Sequence, residues 1–123
     1  MGENSPLPEQ SDPIPPNLAD AFHQAVWLYE DWSPALPELE VSIDRKPFSM
    51  SAVCGLVDSF SDPLPEQIAD RLLSYMHIQH PQLKERLGAE RTYSAAARCL
   101  RGLIEDRKAE YRRLEELRRE KGL

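Results

Sequence analysis

Apolar residues recur at helical spacing along most of this chain, and prolines separate the segments that show the pattern. In the first such segment the apolar residues fall on one stripe at about 100° per residue, which predicts an amphipathic helix over 17–31. The stripe consists of Leu18, Ala21, Phe22, Ala25, Tyr29 and Trp32. Asn17 is a favourable N-cap residue, and Pro34 follows the predicted end. Trp27 lies opposite the stripe, among polar neighbours.

Three shorter segments also have helical patterns. A helix over 49–60 is predicted to begin at a serine cap and to be central, because apolar residues cover more than half of its circumference. Its inner stripe includes Leu56 and Phe60, and Gly55 predicts close approach of another helix. A third helix is predicted over 63–78, capped by Ser61-Asp62, and a short one over 81–87, which Gly88 ends.

The last helix is predicted over 92–121 and has two halves. Its first half carries a dense apolar face that ends at Ile104, so this half belongs to the core. Tyr111, Leu114 and Leu117 continue the same stripe among Arg and Glu residues that can pair at three- and four-residue spacing. This half is predicted to project from the core.

The segment 33–48 contains three prolines and has no helical period. Residues 40–44 alternate in polarity like a strand, but no other segment of the chain offers itself as a pairing partner. We therefore expect a loop that packs Leu39, Val41 and Ile43 over the helices.

These elements predict an all-α, single-domain bundle of four main helices plus one short helix. Residues 1–16 carry five prolines among polar residues and are expected to form a flexible tail. The bundle core is assigned to 17–104, and the projecting charged end of the last helix to 105–123.

Charge is distributed unevenly along the chain, whose formal net charge is −6. Residues 1–70 hold 13 acidic and two basic side chains, whereas residues 71–123 hold 13 basic and eight acidic ones. No apolar run reaches the roughly 18 residues of a membrane span, and the N-terminus has no signal-like pattern. We expect a cytoplasmic protein without membrane contact.

No motif in the sequence indicates catalysis, and we expect no enzyme activity and no cofactor. A phosphate-binding glycine loop, a nucleophile elbow and a zinc-protease motif are all missing. His77 and His80 provide two imidazoles, too few for a structural zinc site. Cys54 and Cys99 lie among apolar residues and are expected to be reduced thiols that act as small hydrophobes.

One pattern favours binding to DNA as the alternative function. Residues 83–101 have the outline of a helix-turn-helix, in which Arg91, Arg98 and Arg101 could offer donors to DNA. Lys84 and Ser94 occupy places where that motif normally needs buried apolar residues, and the net negative charge opposes binding to phosphates.

Contact with another protein is the function that the sequence favours. Trp27 on its polar face is a candidate anchor, unless the 33–48 segment or the proline-rich tail covers it. Tyr111, Leu114 and Leu117 form a seam suited to a second helix or a groove. The partner itself is unknown, and the same seam could make a homodimer. The composition is typical of bacterial or phage accessory proteins that act as adaptors, regulators or assembly components.

Overall fold

The computed structural model describes residues 13–76 and 79–122, so residues 1–12 of the predicted tail lie outside the described residues. Pro16, which was assigned to the tail, is the first residue of a helix. Five helices and one hairpin occupy the described residues. In chain order they are α1 (Pro16–Asp31), β1 (Glu40–Ile43), β2 (Lys46–Ser49), α2 (Met50–Val57), α3 (Glu66–Tyr75), α4 (Pro81–Glu90) and α5 (Tyr93–Glu120). The predicted helical bundle is confirmed, although α4 is longer than expected and α2 is the shortest helix.

The core lies between α5 and the other helices, which surround its first half. α2 packs against both α1 and α5, while α3 and α4 pack against α5 and against each other. The largest completely buried side chains come from every helix; they include Phe22, Met50, Leu72, Leu87 and Leu100. The buried face of α5 ends at Ile104, as its sequence pattern predicts.

The segment 33–48 differs from its prediction because it contains most of a two-stranded antiparallel hairpin. Val41 pairs with Phe48, and Ile43 pairs with Lys46. The two-residue turn has positive φ at both Asp44 and Arg45, as a type I′ turn requires. This turn normally selects Asn-Gly or Asp-Gly, so an arginine in it concealed the hairpin from sequence reasoning.

The inward packing predicted for this segment is confirmed, since Val41 and Ile43 are buried in the core. The Asn17 side-chain amide donates to Asp44 Oδ1 at 2.8 Å and so ties the turn to α1. The N-cap prediction for Asn17 was wrong, because Pro15 occupies that position and Asn17 lies inside α1.

Two details predicted for α2 are also wrong. Gly55 faces open space: a Cβ added there would meet no described atom within 4 Å, so none of the described helices approaches it closely. Leu56 is 45% exposed instead of buried. The helix ends at Val57 and not at Phe60, so the continuous stripe extrapolated to residue 60 does not form.

α3 and α4 begin or end at other residues than predicted. The N-cap of α3 is Pro65, so Ser61-Asp62 does not cap it. Gly88 lies inside α4, which ends only where Arg91 adopts the left-handed conformation at φ 50°. The Arg91 carbonyl accepts a hydrogen bond from Leu64 N at 2.8 Å, which fixes this connection.

Arg107 joins the end of α1 to the middle of α5. Its guanidinium donates to the carbonyls of Tyr29 at 2.8 Å and Trp32 at 2.7 Å, and it lies 4.0 Å from the centre of the Tyr29 ring. α1 has no basic residue in its own last turn. Arg107 thus supplies from α5 the positive charge and the donors that a helix C-terminus attracts.

Replacing Arg45 by glycine is expected to raise the free energy of unfolding by about 0.5–1 kcal/mol, because glycine adopts positive φ without the steric cost that arginine has. Urea unfolding measures this change. Arg45→Ala is the matched control, since alanine retains the strain, and an equal gain in both variants would contradict the explanation.

Arg107→Met is expected to lower the free energy of unfolding by about 2 kcal/mol, because it leaves two carbonyls at the end of α1 without their charged donor. Arg112→Met, on the exposed part of the same helix, is expected to stay within about 0.5 kcal/mol of wild type. Similar losses in the two variants, measured by urea unfolding, would show that Arg107 has no special role.

Candidate protein-interaction surfaces

The part of α5 beyond Arg107 carries the first candidate surface, which we call the α5 seam: Tyr111, Leu114 and Leu117. Leu114 is 51% exposed and Leu117 is 43% exposed, whereas Tyr111 is half-buried. Together with Glu115, Arg118 and Lys121, these residues line an open depression of about 310 Å³. The α5 seam is therefore apolar in its middle and charged at its edges.

The α5 seam faces the same direction as the buried face of the helix. At about 100° per residue, Leu114 lies on the side of α5 that carries Ala96 and Leu103, both of which are buried. The stripe thus continues past the point where α1 ends. Beyond that point no described residue of the bundle covers it, although its side chains have core character.

Trp27 forms the second candidate surface, on α1. It is 45% exposed, so the 33–48 segment leaves much of it open. Residues 1–12, the other segment that could cover it, lie outside the described residues. Arg71 of α3 instead lies over the indole, with its guanidinium carbon 3.8 Å from the ring centre. Such a contact contributes about 0.5–1 kcal/mol at an exposed site and fixes the orientation of the ring.

A polar network holds Arg71 over Trp27. Arg71 forms an ion pair with Glu30, and the Tyr75 hydroxyl lies 3.2 Å from the same carboxylate and 3.3 Å from the Val26 carbonyl. The hydrogen bond to Tyr75 is the main cause that raises the pKa of Arg71. The indole borders two open depressions, of about 470 and 440 Å³, one of them on the side of Arg71.

The three arginines of the DNA-binding alternative do not form one free surface. Arg98 Nε lies 2.9 Å from Asp58 Oδ1, and Arg101 Nη1 lies 3.7 Å from Asp58 Oδ2. Arg91 is exposed in the turn that precedes α5. An acidic residue at the end of α2 therefore already engages two of the three cations.

The N-terminus of α5, which would have to enter the DNA groove, is covered by the segment before α3. The backbone N–H groups of Tyr93 and Ser94 donate to the carbonyls of Asp62 at 3.0 Å and Phe60 at 2.7 Å. In a helix-turn-helix the first residues of the recognition helix contact base edges. This packing gives the DNA-binding alternative no support, and it stays an untested prediction.

The thiols and the histidines do not assemble into a metal site among the described residues, in which no three candidate ligands cluster. Burial raises the pKa of Cys54 to about 12 and that of Cys99 to about 11, so both remain protonated thiols in the core. His80 Nε2 lies 3.4 Å from Asp106 Oδ2. His77, its predicted companion, lies outside the described residues.

Comparisons with protein families, with curated proteins and with solved structures gave no match. None of the helices in ranges 13–76 and 79–122 is both long and apolar enough to cross a bilayer.

Sequence reasoning identified Trp27 and the α5 seam, but it missed the arginines that border them. Arg71 is 44 residues from Trp27, and Arg107 is 78 residues from Tyr29. Helical periodicity describes only neighbours within one element, so it contains no signal for such pairs. The absence of a basic residue in the last turn of α1 is no local signal either, because α2, α3 and α4 share it.

Tryptophan fluorescence should separate the two indoles. In a Trp32→Phe background Trp27 is expected to emit at long wavelength and to be quenched readily by acrylamide, since it is 45% exposed. In a Trp27→Phe background Trp32, which is 5% exposed, should emit at shorter wavelength and resist quenching. Equal quenching of the two variants would contradict the described position of Trp27.

Proposed function

We propose that this chain is a non-enzymatic protein–protein interaction module, an adaptor, regulator or assembly component, that acts through the α5 seam. The observation that carries the proposal is the exposure of Leu114 and Leu117 on a helix that continues beyond its own bundle. Exposed apolar side chains in a row, bordered by charges, are typical of helices that pack on another protein.

Among the described residues, no part of the bundle buries Leu114 or Leu117. The core closes at Ile104, and within ranges 13–76 and 79–122 Arg107 is the last side chain of α5 that donates to the backbone of another helix. Replacing an exposed leucine beyond this point should change the free energy of unfolding by no more than about 0.5 kcal/mol. A partner that buries both leucines would gain about 25 cal/mol for each Å² of apolar surface removed from water.

Trp27 belongs to the proposal as a second contact residue. Its ring is exposed, oriented by Arg71, and bordered by depressions that could accept a partner's side chains. A rigid aromatic ring loses little conformational entropy on binding, which is why tryptophan is enriched among binding hot spots. We place this activity in the cytoplasm, where a reducing environment suits two free thiols.

Site-specific photo-crosslinking in the native cell tests the proposal. A benzophenone amino acid at position 117 should give covalent adducts with a bound protein chain, because this position lies in the α5 seam. The same amino acid at position 112 is the matched control, since it lies on the opposite face of α5 at the same end of the helix. Mass spectrometry of the adduct identifies the captured chain.

Leu114→Glu provides the second arm of this experiment. Combined with the crosslinker at 117, it should abolish the adducts while circular dichroism and urea unfolding remain at wild-type values. Absence of adducts at 117 in the otherwise wild-type chain, or equal adducts at 112 and 117, would overturn the proposal.

A further inference from the structure

The position of the α5 seam restricts what can cover it. Arg107, which binds the end of α1, lies on the same side of α5 as Leu114, so a partner of the α5 seam would occupy the space beyond the C-terminal end of α1. This space extends along α5 from about Lys108 to Gly122, which is about 21 Å or four helical turns. It suits a single helix of that length.

A second copy of α5 cannot fill this space in parallel orientation. Each helix carries its own bundle on the side of the α5 seam, where Ala96, Leu100 and Leu103 are buried, so two parallel helices in register would place both bundles in the same volume. Charge opposes this arrangement too. Across a parallel pair, Glu110 would face Glu115 of the other copy, and Arg118 would face its own equivalent.

An antiparallel second copy meets neither obstacle, because it places the two bundles at opposite ends. In this arrangement Gly122 of one copy lies level with Ala109 of the other. Two residues from different copies then lie at about the same height when their numbers add to about 231. Leu114 then lies beside Leu117 of the second copy, and the two-fold axis repeats this contact. Both exposed leucines of each chain are covered at once.

The charges along one edge of the α5 seam are complementary in this arrangement. Glu110 comes level with Lys121 of the second copy, and Arg113 lies within one helical turn of its Glu120. The axis repeats both pairs. Like charges also meet. Glu115 faces its equivalent near the axis, where Arg118 of each chain already lies 3.2 Å from its own Glu115, and Glu120 of the second copy comes nearly level with Glu110.

We propose, as an extension of the proposed function, that the partner of the α5 seam is a second copy of this chain, bound antiparallel through residues 108–122. The overlap is short, so the interface falls in the small class that gives transient complexes. We expect a reversible monomer–dimer equilibrium with a Kd on the order of 10 to 100 µM.

Sedimentation velocity on the full chain measures this equilibrium. The sedimentation coefficient should increase with concentration between about 5 and 500 µM, a range that brackets the expected Kd. Leu114→Glu should remain monomeric throughout, and Arg112→Ala, on the opposite face, should dimerise like wild type. A wild-type chain that stays monomeric over the whole range overturns the proposal.

Charge reversal tests the orientation. Glu110→Lys and Lys121→Glu should each weaken the dimer about tenfold, because each creates two repulsive pairs across the axis. The double variant Glu110→Lys/Lys121→Glu restores both pairs and should return the Kd to near the wild-type value. A double variant that is weaker than either single variant would overturn the antiparallel arrangement.

Cysteine crosslinking gives an independent readout of the same orientation. A mixture of Glu110→Cys and Lys121→Cys chains should form a mixed disulfide under mild oxidation, whereas Lys121→Cys alone should not. The two native cysteines are completely buried and add no background. Efficient self-crosslinking of Lys121→Cys indicates a parallel pair and overturns the proposal.

The two proposals fail in distinguishable ways. Adducts at position 117 that contain only a different protein, together with a monomer in sedimentation, remove the dimer and leave the interaction module intact. A dimer in sedimentation that Leu114→Glu disrupts supports both proposals. A monomer in sedimentation with no adducts at position 117 removes both.

Discussion

The contact between Arg107 and the end of α1 lies where the bundle ends and the exposed part of α5 begins. The Arg107 guanidinium contacts two backbone carbonyls and the face of the Tyr29 ring. It lies just beyond the end of the buried stripe of α5. A helix C-terminus attracts positive charge and needs donors for its last carbonyls. α1 has no basic residue in its last turn, and Arg107 of α5 supplies both the charge and the donors at its end. The bundle closes at this point, and the remaining turns of α5 extend beyond it.

One apolar stripe runs along both halves of α5, and the halves differ in whether other helices cover it. The same side of the helix is buried at Leu100 and Leu103 and exposed at Leu114, because the face on which α2, α3 and α4 pack ends at Ile104. Ion pairs such as Arg118 with Glu115 support the exposed turns but contribute only a few tenths of a kcal/mol each. An isolated helix of this length is marginal in water, so the core half supplies the nucleus on which the second half can form.

Much of the fold followed from local patterns, and the exceptions have specific causes. The helices of 17–31 and 92–121 were predicted nearly to the residue, because both have a long apolar stripe, although the Asn17 cap was assigned wrongly. The hairpin was missed because its type I′ turn contains Arg45 in place of glycine. Gly88 suggested a helix end that the structure places at Arg91, where the carbonyl bond to Leu64 fixes the chain. At the candidate surfaces, the exposed residues were visible in the sequence, whereas the contacts of Arg71 and Arg107 link distant segments and were not.

Because α5 is uninterrupted, its length would also set the distance between the two bundles of an antiparallel pair. No glycine or proline lies between Leu103 and Lys121, so the exposed turns are a stiff rod and not a hinged arm. In an antiparallel pair the rod would hold the two Arg107 levels about 25 Å apart, at 1.5 Å per residue. Deleting one full turn between the core and the α5 seam would shorten this spacing by about 11 Å, since both rods lose 5.4 Å. Helix length would then set both the spacing and the mutual rotation of the two bundles. Adding or removing one residue is the smallest step by which either could change.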